Sequence, residues 1–121
     1  MGREEGGGMN MTMDDYQRRA MKTAIYPDPG KPVGLYYTAL GLAGEAGEVA
    51  NDVKKVIRDN AGVLDGPRRL AISREIGGVL WYCAALAKEL GYTLGDIAAD
   101  NLDVLASRAE RGKITGSGSN R

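Results

Sequence analysis

Apolar residues recur along this chain at alternating intervals of four and three positions. That spacing is typical of a helix with one packed face, and no segment shows the strict alternation of a half-buried strand. The pattern predicts four helices, at residues 13–25, 33–59, 67–90 and 93–110. We therefore expect an all-α domain.

The two long helices carry the clearest packed faces. On the second helix the predicted face consists of Leu35, Ala39, Leu42, Ala46, Val49, Val53 and Val56. On the third helix it consists of Ile72, Ile76, Val79, Cys83, Leu86 and Leu90. Because only a short turn separates the two helices, the sequence predicts a four-helix bundle with a central antiparallel helical hairpin.

Local signals set the limits of this domain. Thr12 and Asp15 form a capping pair at the first helix, and Thr93 with Asp96 repeats the arrangement at the fourth. Gly91 is a predicted C-cap of the third helix. We expect residues 1–11 to be a disordered glycine-rich segment, residues 12–110 the helical domain, and residues 111–121 a flexible tail.

Composition narrows the classes of function. The 121 residues include 16 basic and 16 acidic side chains and no histidine. Zero net charge argues against a nucleic-acid partner, and the absence of histidine excludes histidine bases and histidine-ligated zinc. The single cysteine, Cys83, excludes an intramolecular disulfide and is interpreted as a small buried hydrophobe. Without a long apolar run or a signal peptide, we expect a cytoplasmic protein that does not contact membranes.

Acidic residues beside the packed faces are the strongest candidates for chemistry. Glu45 and Glu48 lie three residues apart on the second helix, and Glu75 occupies the same register on the third. A hairpin turn near residues 62–63 would place residue i level with about residue 125 − i, so that Glu45 is level with Leu80 and Glu75 with Ala50. The two groups of acids would then meet. Clustered carboxylates without nitrogen or sulfur ligands suit Mg²⁺, or Mn²⁺, and a polyphosphate substrate.

Ordinary structural roles remain open for each of these residues. Acids beside a packed helix face commonly form ion pairs or are simply solvated. Lys54 and Lys55 would meet polyphosphate or merely favour the negative end of the helix dipole. Trp81 and Tyr82 are most simply core aromatics, with base stacking as a second role.

A family resemblance favours the catalytic interpretation. The segments Gly-Leu-Ala-Gly-Glu-Ala-Gly-Glu (41–48) and Glu-Ile-Gly-Gly-Val-Leu-Trp-Tyr (75–82) resemble those of MazG-like all-α nucleotide pyrophosphohydrolases. The likeness extends over most of the chain from Met11 and is closest to small phage-type members. It implies hydrolysis of nucleoside triphosphates to monophosphate and pyrophosphate, with Mg²⁺ bound by acids, in a dimer or tetramer. By resemblance, Glu45, Glu48 and Glu75 are the metal ligands and catalytic residues. Asn101 and basic residues such as Lys55 match, again by resemblance, positions of substrate contact. We expect Lys54, Lys55, Asn101 and Arg121 to bind the phosphates or the base of the substrate.

The sequence departs from the family pattern at two positions. Gly78 stands where the second motif has an aspartate, and Ser119 stands where similar phage proteins tend to carry an acid. A site with three carboxylates would hold Mg²⁺ with added water, or recruit Asp52 or Asp100. The alternative function is therefore an impaired MazG-like protein that binds nucleotide or a protein partner without efficient turnover. A purely structural helical module is a third interpretation.

Overall fold

The computed structural model describes residues 10–112 and 114–118, and it is all-α throughout these ranges. The four helices are α1 (Met13–Ala20), α2 (Pro32–Asn60), α3 (Gly66–Glu89) and α4 (Leu94–Glu110). A 3₁₀ turn at Met21–Thr23 extends α1. The prediction of an all-α fold with four helices is confirmed.

The predicted caps form as hydrogen-bonded pairs. The Asp15 N–H donates to Thr12 Oγ1 at 2.9 Å, and the Thr12 N–H donates to Asp15 Oδ2 at 3.1 Å. Thr93 accepts from the Asp96 N–H at the start of α4. Gly91 follows the end of α3 with φ of +84°, a left-handed conformation that suits glycine at a helix C-terminus.

The α2–α3 hairpin dominates the fold, and its register is set by small residues. A Cβ added at Gly41 would overlap the ring of Tyr82, and one added at Gly34 would lie 2.9 Å from Glu89 Oε1. The helix backbones therefore approach closely along this line, and the buried Thr38 lies on it. Further along, Glu45 is level with Gly78, two residues from the Leu80 that the sequence predicts.

Only part of the predicted packed faces is covered. Ala39, Ala46 and Val53 on α2 are exposed, so the prediction that they pack in the core was wrong. Ile76 on α3 and Leu90, the residue that follows the helix, are also more than half exposed. The reason is that the helices meet along the neighbouring line of glycines, Thr38 and acidic residues, which turns much of the apolar line outward.

The rest of the core joins α1, α3 and α4. Ala84, Ala87 and Leu94 form a buried cluster, against which Tyr16, Met21 and Cys83 pack. Burial raises the pKa of the Cys83 thiol, in keeping with its predicted role as a buried hydrophobe. Buried Gln17 donates to the carbonyls of Ala84 and Tyr92 and accepts from the Leu94 N–H. This amide therefore ties the first helix to the junction of the last two.

One finding differs from the expectation that no segment would be able to span a membrane. By length and composition alone α3 passes that test, with a mean hydropathy of 1.2. Small residues raise the average even though charged side chains interrupt the helix. A single helix of this kind is weak evidence for a membrane span. Here α3 packs along α2, with Glu75 half-buried near the middle of the helix.

Candidate functional site

Three carboxylates from the two central helices converge on one point. Glu48 and Asp52 lie one turn apart on α2, and Glu75 faces them from α3. One oxygen from each residue lies within 4.8 Å of the others. Glu75 and Asp52 are half-buried, whereas Glu48 is exposed, so the cluster is open to solvent on one side. The predicted meeting of the two acidic segments is thus present in the structure.

Glu45 occupies a neighbouring position, above Gly78. A Cβ added at Gly78 would lie 2.9 Å from Glu45 Cδ and closer still to Oε1. Glu45 also lies within hydrogen-bonding reach of Glu75. The carboxylate of Glu45 therefore occupies the space into which a longer side chain at residue 78 would project.

The crowding of acids changes the ionisation of Glu75. Desolvation beside α2 raises the pKa of this carboxyl, and the negative charges of Asp52, Glu45 and Glu48 raise it further. Like charges held this close repel one another, so the folded chain gains by adding a proton or a cation here. The electrostatics of the cluster suit a positively charged ligand.

A cleft of about 380 Å³ adjoins the carboxylates on the side of the hairpin turn. It is lined by Asp52, Lys55, Asp59, Pro67, Arg68 and Ala71. Asp52 therefore belongs both to the acidic cluster and to the cleft wall. The pKa of Asp59 is lowered chiefly by its hydrogen bond with Arg58, with smaller contributions from Arg68 and Lys55.

Aromatic side chains lie on the opposite side of the acidic cluster. The ring of Tyr26 stacks on Tyr37 at 5.7 Å, and Trp81 meets Tyr82 edge-on at 5.0 Å. Burial, together with a hydrogen bond to Tyr37, raises the pKa of Tyr82. The predicted packing role of Trp81 and Tyr82 agrees with this cluster of rings. Along the contact between α2 and α3, aromatic rings are thus followed by carboxylates and then, toward the hairpin turn, by basic residues.

The other residues singled out from the sequence are distributed more widely. Lys55 lines the cleft, whereas Lys54 is exposed and outside its lining. Asn101 is exposed on α4, a helix that packs against α1 and α3. Asp100 lines a separate cleft with Tyr92, Asp96 and Ile97, so Asp52 is the acid that joins the cluster. Arg121 and Ser119 lie outside the described residues.

Sequence reasoning missed Arg68. Arg68 lies near the start of α3, where no periodic pattern in the sequence distinguishes a functional basic residue from a solvated one. The hairpin register supplies the missing signal, because it places the first turn of α3 level with the last turns of α2. Lys55 and Arg68 therefore share a wall of the cleft.

Fold and site together define a small all-α protein with a carboxylate cluster inside a helical hairpin. The chain is 47% identical over 114 residues to the Gene 37 protein of Mycobacterium phage L5. The alignment covers 92% of this chain and 100% of the phage protein. The chain belongs to the family of that phage protein. It matches no protein-family model and no solved structure.

Proposed function

We propose that the protein is an Mg²⁺-dependent nucleoside triphosphate pyrophosphohydrolase of the MazG-like type. It would convert ribo- or deoxyribonucleoside triphosphates to monophosphate and pyrophosphate, acting on the cytoplasmic nucleotide pool. The observation that carries the proposal is the convergence of Glu48, Asp52 and Glu75 within 4.8 Å. The motif resemblance described above is the second support.

The donor set fits the proposed metal. All the available ligand atoms are carboxylate oxygens, which hard cations such as Mg²⁺ and Mn²⁺ prefer. Glu48, Asp52 and Glu75 would hold the ion, and Glu45 would support Glu75 from its place above Gly78. When bound, the ion would neutralise part of the negative charge of the substrate phosphates.

The remaining chemistry belongs to water and to the side chains. Water attacks one phosphorus of the α–β linkage, forming a P–O bond as the bridging P–O bond breaks. The electron pair of the broken bond stays on the departing phosphate oxygen. A carboxylate of the cluster accepts the proton lost by water and releases it to solvent. Glu45 is the best placed for this role, because it lies beside the cluster rather than within the group of three.

We further propose that the working form is a homodimer or homotetramer. A single chain leaves large apolar side chains uncovered on α2, α3 and α4. Examples more than half exposed are Tyr36, Leu40, Ile57, Ile76 and Leu102. Extensive exposed apolar surface usually marks an association site. Light scattering should give a mass above that of one chain, and a monomer at micromolar concentration would contradict this part of the proposal.

One observation favours the alternative of an impaired enzyme. The acid of the family pattern is absent at residue 78, and the space beside Gly78 is filled by Glu45. In that case the chain would bind a nucleotide with Mg²⁺ and release pyrophosphate slowly or not at all. Calorimetry with a non-hydrolysable nucleotide distinguishes this form from a purely structural module, which would bind neither.

The decisive experiment measures pyrophosphate released from a panel of nucleoside triphosphates with Mg²⁺ or Mn²⁺. The native chain is compared with Glu48→Ala, and Glu110→Ala at the end of α4 serves as the control. We expect Glu48→Ala to lose activity and Glu110→Ala to keep it. Equal rates in all three proteins would contradict the assignment.

A further inference from the structure

The cleft beside the carboxylates brings together two cations from different helices. Lys55 comes from the second half of α2, and Arg68 comes from the first turn of α3. Both line the same cleft of about 380 Å³, next to Asp52 of the acidic cluster. Their immediate neighbours, Lys54 and Arg69, are exposed and outside its lining. The hairpin therefore places one basic residue of each adjacent pair in the cleft lining and leaves the other outside it.

Arg68 is held in place at the helix start. Asp65 accepts from the Arg68 backbone N–H at 3.0 Å and from Nη1 at 2.6 Å. These two hydrogen bonds hold the backbone and the side chain of Arg68 against Asp65 at the start of α3. The guanidinium has five N–H donors, and one side of it is engaged by Asp65. The other donors can be offered to a planar or tetrahedral oxyanion, for which arginine is well suited.

The charge of the cleft makes such an anion conditional on a metal ion. Asp52 and Asp59 line the same walls as Lys55 and Arg68, so the formal charges cancel. A free anion gains little from a neutral cleft. A divalent cation held by Asp52, Glu48 and Glu75 would cancel the two further negative charges of Glu48 and Glu75 and would offer its own charge to phosphate oxygens beside Lys55 and Arg68. The cleft would then attract a polyphosphate bridged to that cation.

We propose that this cleft binds the pyrophosphate end of the nucleoside triphosphate, with Arg68 and Lys55 as its two specificity-determining cations. The proposal rests on the proposed hydrolase function. It assigns an orientation to the bound substrate, with the two terminal phosphates in the cleft toward the hairpin turn. Arg68 thereby favours triphosphates over monophosphates, because a monophosphate has no group to reach it.

The test uses inorganic pyrophosphate and a nucleoside monophosphate as separate probes, with Mg²⁺ present, in titration calorimetry. The variants are Arg68→Ala and Lys55→Ala, and the controls are Arg69→Ala and Lys22→Ala, at exposed positions outside the cleft lining. We expect pyrophosphate affinity to fall roughly tenfold or more in Arg68→Ala and Lys55→Ala but not in the controls. Monophosphate affinity should be the same in all the proteins. Arg68→Lys should recover part of the loss, since it keeps the charge but not the fork of donors.

The pyrophosphate-binding result does not depend on whether the protein is a hydrolase. Binding of Mg²⁺–pyrophosphate that depends on Arg68 and not on Arg69 supports the cleft even in a chain that does not turn over. Equal affinities in Arg68→Ala and Arg69→Ala would overturn the proposal, as would a native chain that fails to bind pyrophosphate. Loss of activity in Glu48→Ala alone tests the hydrolase, because Glu48 is outside the cleft lining.

Discussion

The carboxylate of Glu45 lies against the backbone of Gly78, at the position where the MazG-like proteins that the motifs resemble carry an aspartate. A Cβ at residue 78 would sit 2.9 Å from Glu45 Cδ, whereas one at neighbouring Gly77 would meet nothing within 4 Å. The two adjacent glycines therefore have different reasons for their presence. Gly78 makes room for an acidic side chain from α2, and Gly77 faces open space.

The first prediction follows from this contrast between neighbours. Gly77→Ala should stabilise the chain by up to about 1 kcal/mol, because alanine is the better helix former and has room. Gly78→Ala should gain less or lose stability, since Glu45 must move to accept the methyl group. Chemical denaturation of the two variants checks the difference. Equal gains in stability at both positions would show that Glu45 can move aside without a loss of free energy.

A second prediction concerns the missing acid itself. Gly78→Asp should not raise pyrophosphate release, because the new carboxylate would displace Glu45 and add a negative charge to a cluster that Asp52 already completes. Gly78→Ala controls for the steric effect alone. A gain of about tenfold, equivalent to about 1.4 kcal/mol of activation free energy, would instead show that the site lacks a ligand at residue 78.

Metal binding gives the third prediction. Divalent cation should stabilise the native chain, by about 2.7 kcal/mol when Mg²⁺ is at a hundredfold excess over its dissociation constant. Asp52→Asn should weaken this stabilisation strongly, since it removes one of three charged ligands. Asp100→Asn on α4 is the matched control, because it lines a different cleft. Thermal unfolding at increasing Mg²⁺ measures the effect. A melting temperature of the native chain that does not change with added Mg²⁺ or Mn²⁺ would contradict the proposed metal site.

Much of the fold was accessible from the sequence because its signals are local. Capping pairs such as Thr12 with Asp15 fix where a helix begins, independent of what surrounds it. The short turn between α2 and α3 leaves little freedom in their register, so Glu45 was placed within two residues of its partner. The meeting of the acidic segments followed from that register.

The packed face of α2 was harder to predict, for a physical reason. Apolar periodicity marks a face that avoids water, but it does not say whether another helix or another chain covers it. Here the ring of Tyr82 lies on Gly41, so the helices meet along the small residues and Val53 remains exposed. For the same reason the sequence indicated Asp52 only as an alternative ligand. Its place beside Glu75 depends on which line of residues on α2 faces α3.

The fourth prediction is a pH dependence at the start of α1. Hydrogen bonds from Arg18 and from the Thr12 N–H lower the pKa of Asp15 to about 2, from an ordinary value of 3.8. Because the folded-state pKa is depressed, Asp15 stabilises the fold above pH 3.8, and this contribution is lost as the pH falls toward 2. Asp15→Asn should therefore be less stable than the native chain at pH 7 and equal to it near pH 2.

Unfolding measured from pH 7 to pH 2 tests this dependence, with Asp103→Asn on the exposed face of α4 as the control. The control should follow the native curve throughout. A constant difference between Asp15→Asn and the native chain at every pH would mean that the carboxylate charge is irrelevant to the cap.

The fifth prediction concerns Gln17, the buried amide that joins three helices. Its side chain donates to the Ala84 carbonyl at 3.1 Å and accepts from the Leu94 N–H at 3.1 Å. Gln17→Leu keeps a similar volume but leaves the buried Leu94 N–H without a partner, which costs about 1–3 kcal/mol, and it also removes the side-chain hydrogen bond to the Ala84 carbonyl. We expect a loss of at least about 2 kcal/mol in the free energy of unfolding. Lys22→Ala, at an exposed position in the following 3₁₀ turn, should change it by less than about 0.5 kcal/mol. Because Gln17 lies away from the carboxylates, the folded fraction of Gln17→Leu should retain the native affinity for Mg²⁺. A stable Gln17→Leu chain would show that α4 is held by its apolar contacts with Ala84 and Ala87 alone.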